Sequence, residues 1–480
     1  MRLGVSDCSI TIGGTEAVQK FPHYFTGDSD MQAFDLIVIG SGTAGSVVAL
    51  TCRSAGWTVA VVDSLPFGGT CALRGCDPKK VLVGVADLLD WSRRMADKHT
   101  VKGDLEIDWP ELMRFKRTFT DPVPKHKEQS FEQAGIKRFH GKAKFIDRTA
   151  VEVQGERLEA RYFLIGTGAT PANLNIQGQE YLIDSTEFLE LEQLPKEIVF
   201  VGGGFIAMEF AHVAARSGSK VTVLHRGARI LEGFDPDLVS SLAAATTALG
   251  VTIHTETSVE AIEKTANGRF AVVTKQQGAS VTFEGDLVVH GAGRVPNLDD
   301  LELDAAGVTR EKRGVVVNGY LQSPSNPAVY AGGDVASTDG LPLTPVAGYD
   351  GRLIAANMLK GNHLQAEYHL IPSVVFTIPP LASVGLSEQA ANRKGLHFRR
   401  NYSEIGDWYA SRRVAEKTAA FKVLIEEGTE RILGAHLLGP AAEESINLFT
   451  LAMRFDITAE QLKQVLFVYP THASDMEYML

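Results

Sequence analysis

A glycine-rich turn occurs twice in register along this chain, and no other feature restricts its fold as much. Gly40-Ser41-Gly42-Thr43-Ala44-Gly45 follows a short apolar run, Phe34 to Ile39, and opens a small-residue helix that extends to about Ala55. Thr58 to Val62 is a second apolar run, closed by Asp63. Strand, GxGxxG turn, helix, strand and acid, in that order, make a dinucleotide-binding βαβ unit. The glycines permit the turn and close approach to a pyrophosphate, and the helix N-terminus favours its negative charge. Asp63, 18 positions after Gly45, is expected to take ribose hydroxyls. The arrangement returns 162 positions later: Glu197 to Val201, then Gly202-Gly203-Gly204-Phe205-Ile206-Ala207, a helix from Met208 to Arg216, and a strand from Lys220 to Leu224. Each copy runs on into an alternating β segment and a Gly-rich close, Leu164 to Pro171 and Val288 to Pro296. One such turn can exist without a ligand; two in register imply two dinucleotides.

At 480 residues the chain is long enough for about three domains, since single cores rarely outgrow about 250 to 300 residues. A net charge of −11 argues against nonspecific nucleic-acid binding, which needs clustered Lys and Arg. No run of about 18 apolar residues predicts a membrane span. Four cysteines are no disulfide framework and suit a reducing cytoplasm. Cys52 reads as core. Residues 1–33 form an irregular leader with no address signal, and Met31, just before the first strand, is the expected natural start.

Two of the four cysteines lie five positions apart in Gly68-Gly69-Thr70-Cys71-Ala72-Leu73-Arg74-Gly75-Cys76-Asp77-Pro78-Lys79-Lys80. That separation, over about a turn and a half of helix, can bring the sulfurs within bonding range. Two ordinary buried thiols or half of a metal site are the alternatives; for metal, no second Cys pair or Cys/His cluster completes a ligand set, so no metal site is expected.

The run GGTCxxxGCxPxK resembles the active-site signature of the pyridine-nucleotide disulfide oxidoreductases, such as glutathione reductase, dihydrolipoamide dehydrogenase and mercuric reductase. The resemblance covers residues 34–480 and implies an α/β fold with two Rossmann-like domains, for FAD and NAD(P), plus a C-terminal α+β dimerisation domain. The implied boundaries are 34–172 for FAD, 173–293 for NAD(P), 294–368 for a central FAD segment and 369–480 for pairing two chains. It implies a homodimer, in which the C-terminal end of one subunit completes the other's site. Cys71 and Cys76 then form a redox-active disulfide, with Cys76 the thiolate against the flavin and Cys71 the interchange thiol. Lys79 and Glu209 match the ion pair beside the isoalloxazine, where a cation stabilises negative charge added on reduction. The FAD contacts implied are Gly40, Gly42, Thr43, Ala44, Gly45 and Asp63, then Thr70, Lys80 and Gly168, and later Gly333, Asp334 on the ribityl chain and Ala347. Those for the nicotinamide dinucleotide are Gly202, Gly204, Ala207, Gly293 and Arg294 with His225, Arg226 and Arg229. In an NAD enzyme the 225 position is usually acidic. With His225 there and Arg226 and Arg229 nearby, NADPH is favoured over NADH.

The chain also departs from the family pattern. Where the disulfide reductases carry a proton-relaying histidine, the run Val468-Tyr469-Pro470-Thr471-His472 has Tyr469. A phenol near pKa 10 is a poor base at pH 7, though it can donate a proton. His472, across Pro470, is expected to be structural. Leu73 replaces a common Asn, Phe205 a common Tyr, and Arg74 is expected to stabilise a Cys71 thiolate. Tyrosine at 469 is similar to mercuric reductase, whose chemistry needs no protonated leaving thiol, but the final residues Glu477 to Leu480 lack the vicinal Cys pair of that enzyme. The expected function is electron transfer from NADPH through flavin and Cys71/Cys76 to a disulfide or soft metal ion. A dihydrolipoamide dehydrogenase and a slow-turnover redox sensor are the alternatives.

Overall fold

The computed structural model describes residues 32–480, so Cys8, the Met31 start and the leader up to residue 31 lie outside it, while Gln32 and Ala33, read as leader, belong to the first strand. The first glycine-rich turn joins strand β1, Gln32–Ile39, to helix α1, Thr43–Ser54, and β2, Val59–Asp63, follows. These strands pair in parallel, and β1 pairs in parallel with the strand Glu156–Ile165. That ten-residue strand serves two sheets' worth of partners: its start pairs antiparallel with Ala150–Val153 and its end in parallel with Val329–Ala331. The strand Val329–Ala331, which leads into the turn carrying Gly333 and Asp334, thus joins the first sheet, which has seven strands.

The second unit repeats the plan in a five-stranded parallel sheet, ordered Thr252–His254, Lys220–Leu224, Glu197–Val201, Leu287–His290, Leu182–Ile183. The central strands of both units are mostly apolar, as strands covered by helices on both faces of a parallel sheet are. Leu36 to Val38 and Ile198 to Phe200 are at most 1% exposed. An antiparallel meander from Thr257 to Gly285 precedes the closing strand, as Ala143 to Val153 precedes it in the first unit. The helix of the second unit starts at Phe205 rather than Met208, because its cap is Gly204 itself.

The C-terminal part is a five-stranded antiparallel sheet, Ser373–Val375, Leu381–Gly385, Ile432–Leu438, Ala420–Glu426, Phe398–Glu404, covered by the helix Ala442–Arg454. Ile446, Phe449, Ala452 and Met453 recur at helical spacing on that helix's buried face. Among the described residues no helix is long and apolar enough to cross a membrane.

Candidate redox site

Both turns have the same construction. Gly40 has φ +104° and a Cβ on it would fall 2.3 Å from the Gly166 carbonyl oxygen; Gly202 has φ +111° and the same gap to Gly291. Each turn is therefore pressed against its own closing strand, where only glycine fits. The residue ending the second strand then fastens each turn. Asp63 Oδ2 accepts the Ser41 N–H at 2.8 Å and its hydroxyl at 2.6 Å, and His225 Nδ1 accepts the Gly203 N–H at 3.1 Å. Gly45 and Ala207 lie beneath the turns: a Cβ on Gly45 would stand 2.0 Å from the Gly40 oxygen, and Ala207 packs against Gly291. Neither faces the groove, which corrects their reading as direct contacts.

One groove of about 1440 Å³ joins the two turns. Gly40, Gly42, Thr43, Ala44, Asp63, Thr70, Gly168, Gly333, Asp334 and Ala347 line it, and so do Gly202, Gly204, His225, Arg226, Gly293 and Arg294, the last of which donates to the Ala169 carbonyl. Cys71, Cys76, Lys79 and Glu209 line the same groove. A Cβ on Gly69 would sit 2.5 Å from the Gly42 Cα, so the cysteine segment lies directly on the first turn. This lining fits FAD: the glycine-backed turn from Gly40 to Gly42 with its N–H groups, and a half-buried carboxylate, Asp334, on the wall. Asp334 is raised by burial, against the charge of Arg294. The groove does not include Lys80, whose Nζ lies 3.9 Å over the Phe376 ring and 3.9 Å from Glu443. Arg229 is also outside it and donates to the Glu232 carbonyl at 3.1 Å. Tyr469 is 77% exposed at the far C-terminal surface, away from the groove of its own chain.

The two cysteines do not share a helix. Cys71 belongs to α2, Gly69–Arg74; Gly75, at φ −144° and ψ −114°, breaks the chain; and Cys76 opens α3, Cys76–Ala96. A Cβ on Gly75 would meet the Thr70 oxygen at 2.9 Å, so this break depends on glycine. The two cysteines are not covalently bonded to each other, and each sulfur acts on the other's proton affinity. Cys76 Sγ opens onto the groove 3.7 Å from Thr344 Oγ1, and Cys71 Sγ lies 3.8 Å from Asp77 Oδ1. The hydrogen bond from Cys71 lowers Cys76 from 9.0 to about 6, helped by Thr344 and the charge of Lys79 against the opposing effect of burial. The same bond and burial push Cys71 up. The pair shares one proton, held on Cys71. In the reduced protein the Cys76 thiolate is therefore expected above about pH 6 and lost as pH falls through that value. Alkylation rates at Cys76 against pH check this; a midpoint at or above the ordinary thiol value contradicts it.

Lys79 Nζ meets Glu209 Oε2 at 2.8 Å, with side chains 12% and 4% exposed. Glu209 Oε1 accepts the Phe376 N–H at 2.7 Å, and Lys79 lies 4.2 Å over the Phe376 ring. One helix face, Glu209, His212 and Arg216, grips the segment from Phe376 to Ile378: His212 Nδ1 accepts the Ile378 N–H and Arg216 donates to its carbonyl. Burial, with Arg216, holds His212 well below its usual value. Arg74 does not serve Cys71 as expected. Burial lowers it, and the charges on it are those of Asp63 and Asp184, whereas Cys71 feels Cys76 and Asp77. His472 is lowered by burial and by Arg413.

Groove residues that escaped the sequence reading include Asp184, Asp350 and Glu232. Asp184 caps the short helix Ser185–Phe188; the capping-box pattern with Glu187 signals a helix start but not that it faces the groove. Asp350, 1% exposed, accepts the Gly333 N–H at 2.9 Å and the Tyr368 hydroxyl at 2.8 Å, and so fixes the turn that carries Asp334. Glu232 stands 3.5 Å from His225 Nε2. No local pattern marks the last two.

Known proteins share this arrangement. The mercuric reductase of Lysinibacillus sphaericus is 31% identical over 448 residues, covering 92% of this chain and 81% of that protein. The glutathione reductase of Burkholderia cepacia is 32% identical over 449 residues, 92% of this chain and 97% of that protein. The Cu(II) complex of the HOCl-induced flavoprotein disulfide reductase RclA from Escherichia coli superimposes with a TM-score of 0.82 at 27% identity, covering 93% of this chain and 99% of that one. Residues 34–351 match the pyridine nucleotide-disulphide oxidoreductase family and residues 371–480 its dimerisation domain, and the chain belongs to that family of FAD-dependent oxidoreductases acting on sulfur groups.

Proposed function

We propose that this protein, as a homodimer, passes electrons from NADPH through FAD to the Cys71/Cys76 pair and on to a disulfide or soft metal ion. The observation that carries the reading is that both sulfurs and the Lys79–Glu209 pair line the same groove as the two dinucleotide turns. Bound FAD would supply two-electron transfer between NADPH and the sulfurs. The residues do the rest. Towards a disulfide RSSR, Cys71 attacks as thiolate, forms Cys71–S–S–R and releases RS⁻, which takes the proton Cys71 gave up. Cys76 then attacks the Cys71 sulfur, releases the second RS⁻ and closes the Cys71–Cys76 bond. The high affinity of Cys71 for its proton slows that first attack, since Tyr469, as a phenol, is a weak base. A soft metal ion, held by both sulfurs and taking two electrons as their bond closes, needs no protonated leaving group. The mercuric reductase likeness supports this acceptor class, while the glutathione reductase likeness keeps small disulfides in the test.

The neighbourhood of Tyr469 supports dimerisation. Leu466, Val468 and Tyr469 are 98%, 78% and 77% exposed in a single chain, more apolar surface than a free C-terminal segment keeps in water. Pairing would cover it and bring Tyr469 to the second copy's Cys71. For the donor, Arg226 is exposed at the groove and offers a 2′-phosphate charge-assisted hydrogen bonds of about 1.5 to 3 kcal/mol. Anaerobic titration with NADPH should put electrons into both flavin and sulfur and raise a long-wavelength charge-transfer band; plain flavin reduction rejects the relay. The same protein, assayed with oxidised small thiols, lipoamide, Hg(II) and Cu(II), should use NADPH about tenfold better than NADH in kcat/KM. Equal or better use of NADH rejects the donor assignment.

A further inference from the structure

Strand Lys220–Leu224 ends at His225, where the second unit has lost the carboxylate expected of an NAD site, yet the fold supplies one from seven positions further on. Glu232 lines the groove together with His225, Arg226 and Gly227. Its Oε1 lies 3.5 Å from His225 Nε2, and it rests so closely on Gly227 that a Cβ there would be 2.0 Å from that oxygen. His225 Nδ1 is committed to the Gly203 N–H, so in the neutral ring the proton sits on Nε2 and points towards Glu232. Nε2 is buried and has no hydrogen-bond partner within normal distance. The Glu232 side chain is 63% exposed and not locked in place.

We infer that Glu232 is a specificity-determining residue for the nicotinamide dinucleotide. Its carboxylate stands in for the acid missing at position 225: it accepts from a ribose diol and repels a 2′-phosphate, opposing Arg226 at the same mouth. Gly227 is what allows it, since any side chain there would displace the carboxylate. The NADPH preference set by Arg226 is held down by Glu232 and rises when its charge is removed. This rests on the NADPH reading above and names the residue that limits it.

The test uses dead-end ligands, so that no turnover is involved. Affinities of the FAD-loaded protein for 2′,5′-ADP and 5′-AMP are measured by calorimetry in wild type, Glu232→Gln and Arg226→Gln. In Glu232→Gln the ratio of affinities, 2′,5′-ADP over 5′-AMP, should rise roughly three- to tenfold, the size of one partly screened charge acting on a phosphate. An unchanged or lower ratio overturns the inference. In Arg226→Gln the ratio should fall instead. If it does not, the 2′-phosphate reading fails by itself, whatever Glu232→Gln does. Retained flavin absorbance and an unchanged melting temperature in Glu232→Gln show that the shift is local, as the exposure of the side chain leads one to expect.

Discussion

Cys71→Ser protein is expected to lose turnover with disulfide acceptors by on the order of a thousandfold or more while keeping a long-wavelength charge-transfer absorbance. The reason is the asymmetry of the sulfurs. Cys76 opens onto the groove beside Thr344 and carries the negative charge, whereas Cys71 holds the proton and lies beside Asp77. Without Cys71 the other sulfur cannot be oxidised to an internal disulfide, so its thiolate persists even before reduction. Cys76→Ser should show the reverse spectrum, with no such band, and should be equally inactive. Stopped-flow spectra and acceptor assays on the two variants decide the matter. A band in Cys76→Ser, or disulfide turnover in Cys71→Ser within tenfold of wild type, would reverse the assignment or move the chemistry to the flavin alone.

Glu209→Ala should cost about 3 to 5 kcal/mol of stability, because it leaves a buried ammonium unpaired and the Phe376 N–H without its acceptor. Glu209→Gln keeps only one of the two contacts through its amide oxygen, sets its NH2 against the other donor, and should cost less than Glu209→Ala. Urea denaturation followed by flavin release measures both, reading the first transition, since a chain of several domains need not unfold in one step. A loss under about 1 kcal/mol in Glu209→Ala would mean that the pair is solvated and stabilises little. Lys79→Met adds a functional readout. With the cation gone, the Cys76 thiol should titrate higher than about 6, since the Lys79 charge is one of the effects that lower it.

Much of this molecule is written in local patterns. The strand from Glu197 to Val201 and the strand from Lys220 to Leu224 appear in the structure at the bounds read from apolar runs, because continuous burial in a parallel sheet leaves an uninterrupted signature. The register of the two copies was equally legible, and it extends further than the glycines: Asp63 to Ser41 and His225 to Gly203 are the same fastening, each spanning 22 positions. In the sequence His225 reads as a ligand residue. In the structure its first task is to hold a turn.

Other features were not legible. The glycine break between Cys71 and Cys76 depends on how Gly75 packs against Thr70, and a helical spacing argument cannot see it. Arg74 stands at helical spacing from Cys71 along the chain, yet its charge partners are Asp63 and Asp184. Lys80, one position from a groove residue, shares the Phe376 ring with Lys79 but takes Glu443 rather than Glu209 as its carboxylate, because successive helical positions point about 100° apart.

The sequence by itself determined the two dinucleotide units, their register and the dithiol, since each is carried by residues close together whose backbone geometry or chemistry few other residues can supply. The tertiary structure alone decided that Asp350 fixes the Gly333 turn, that Arg74 answers to Asp63 and Asp184 and that Glu232 comes to His225. Those meetings join side chains whose partners are chosen by how sheets and helices pack, and the free energy of packing is spread over too many distant residues to leave a local mark.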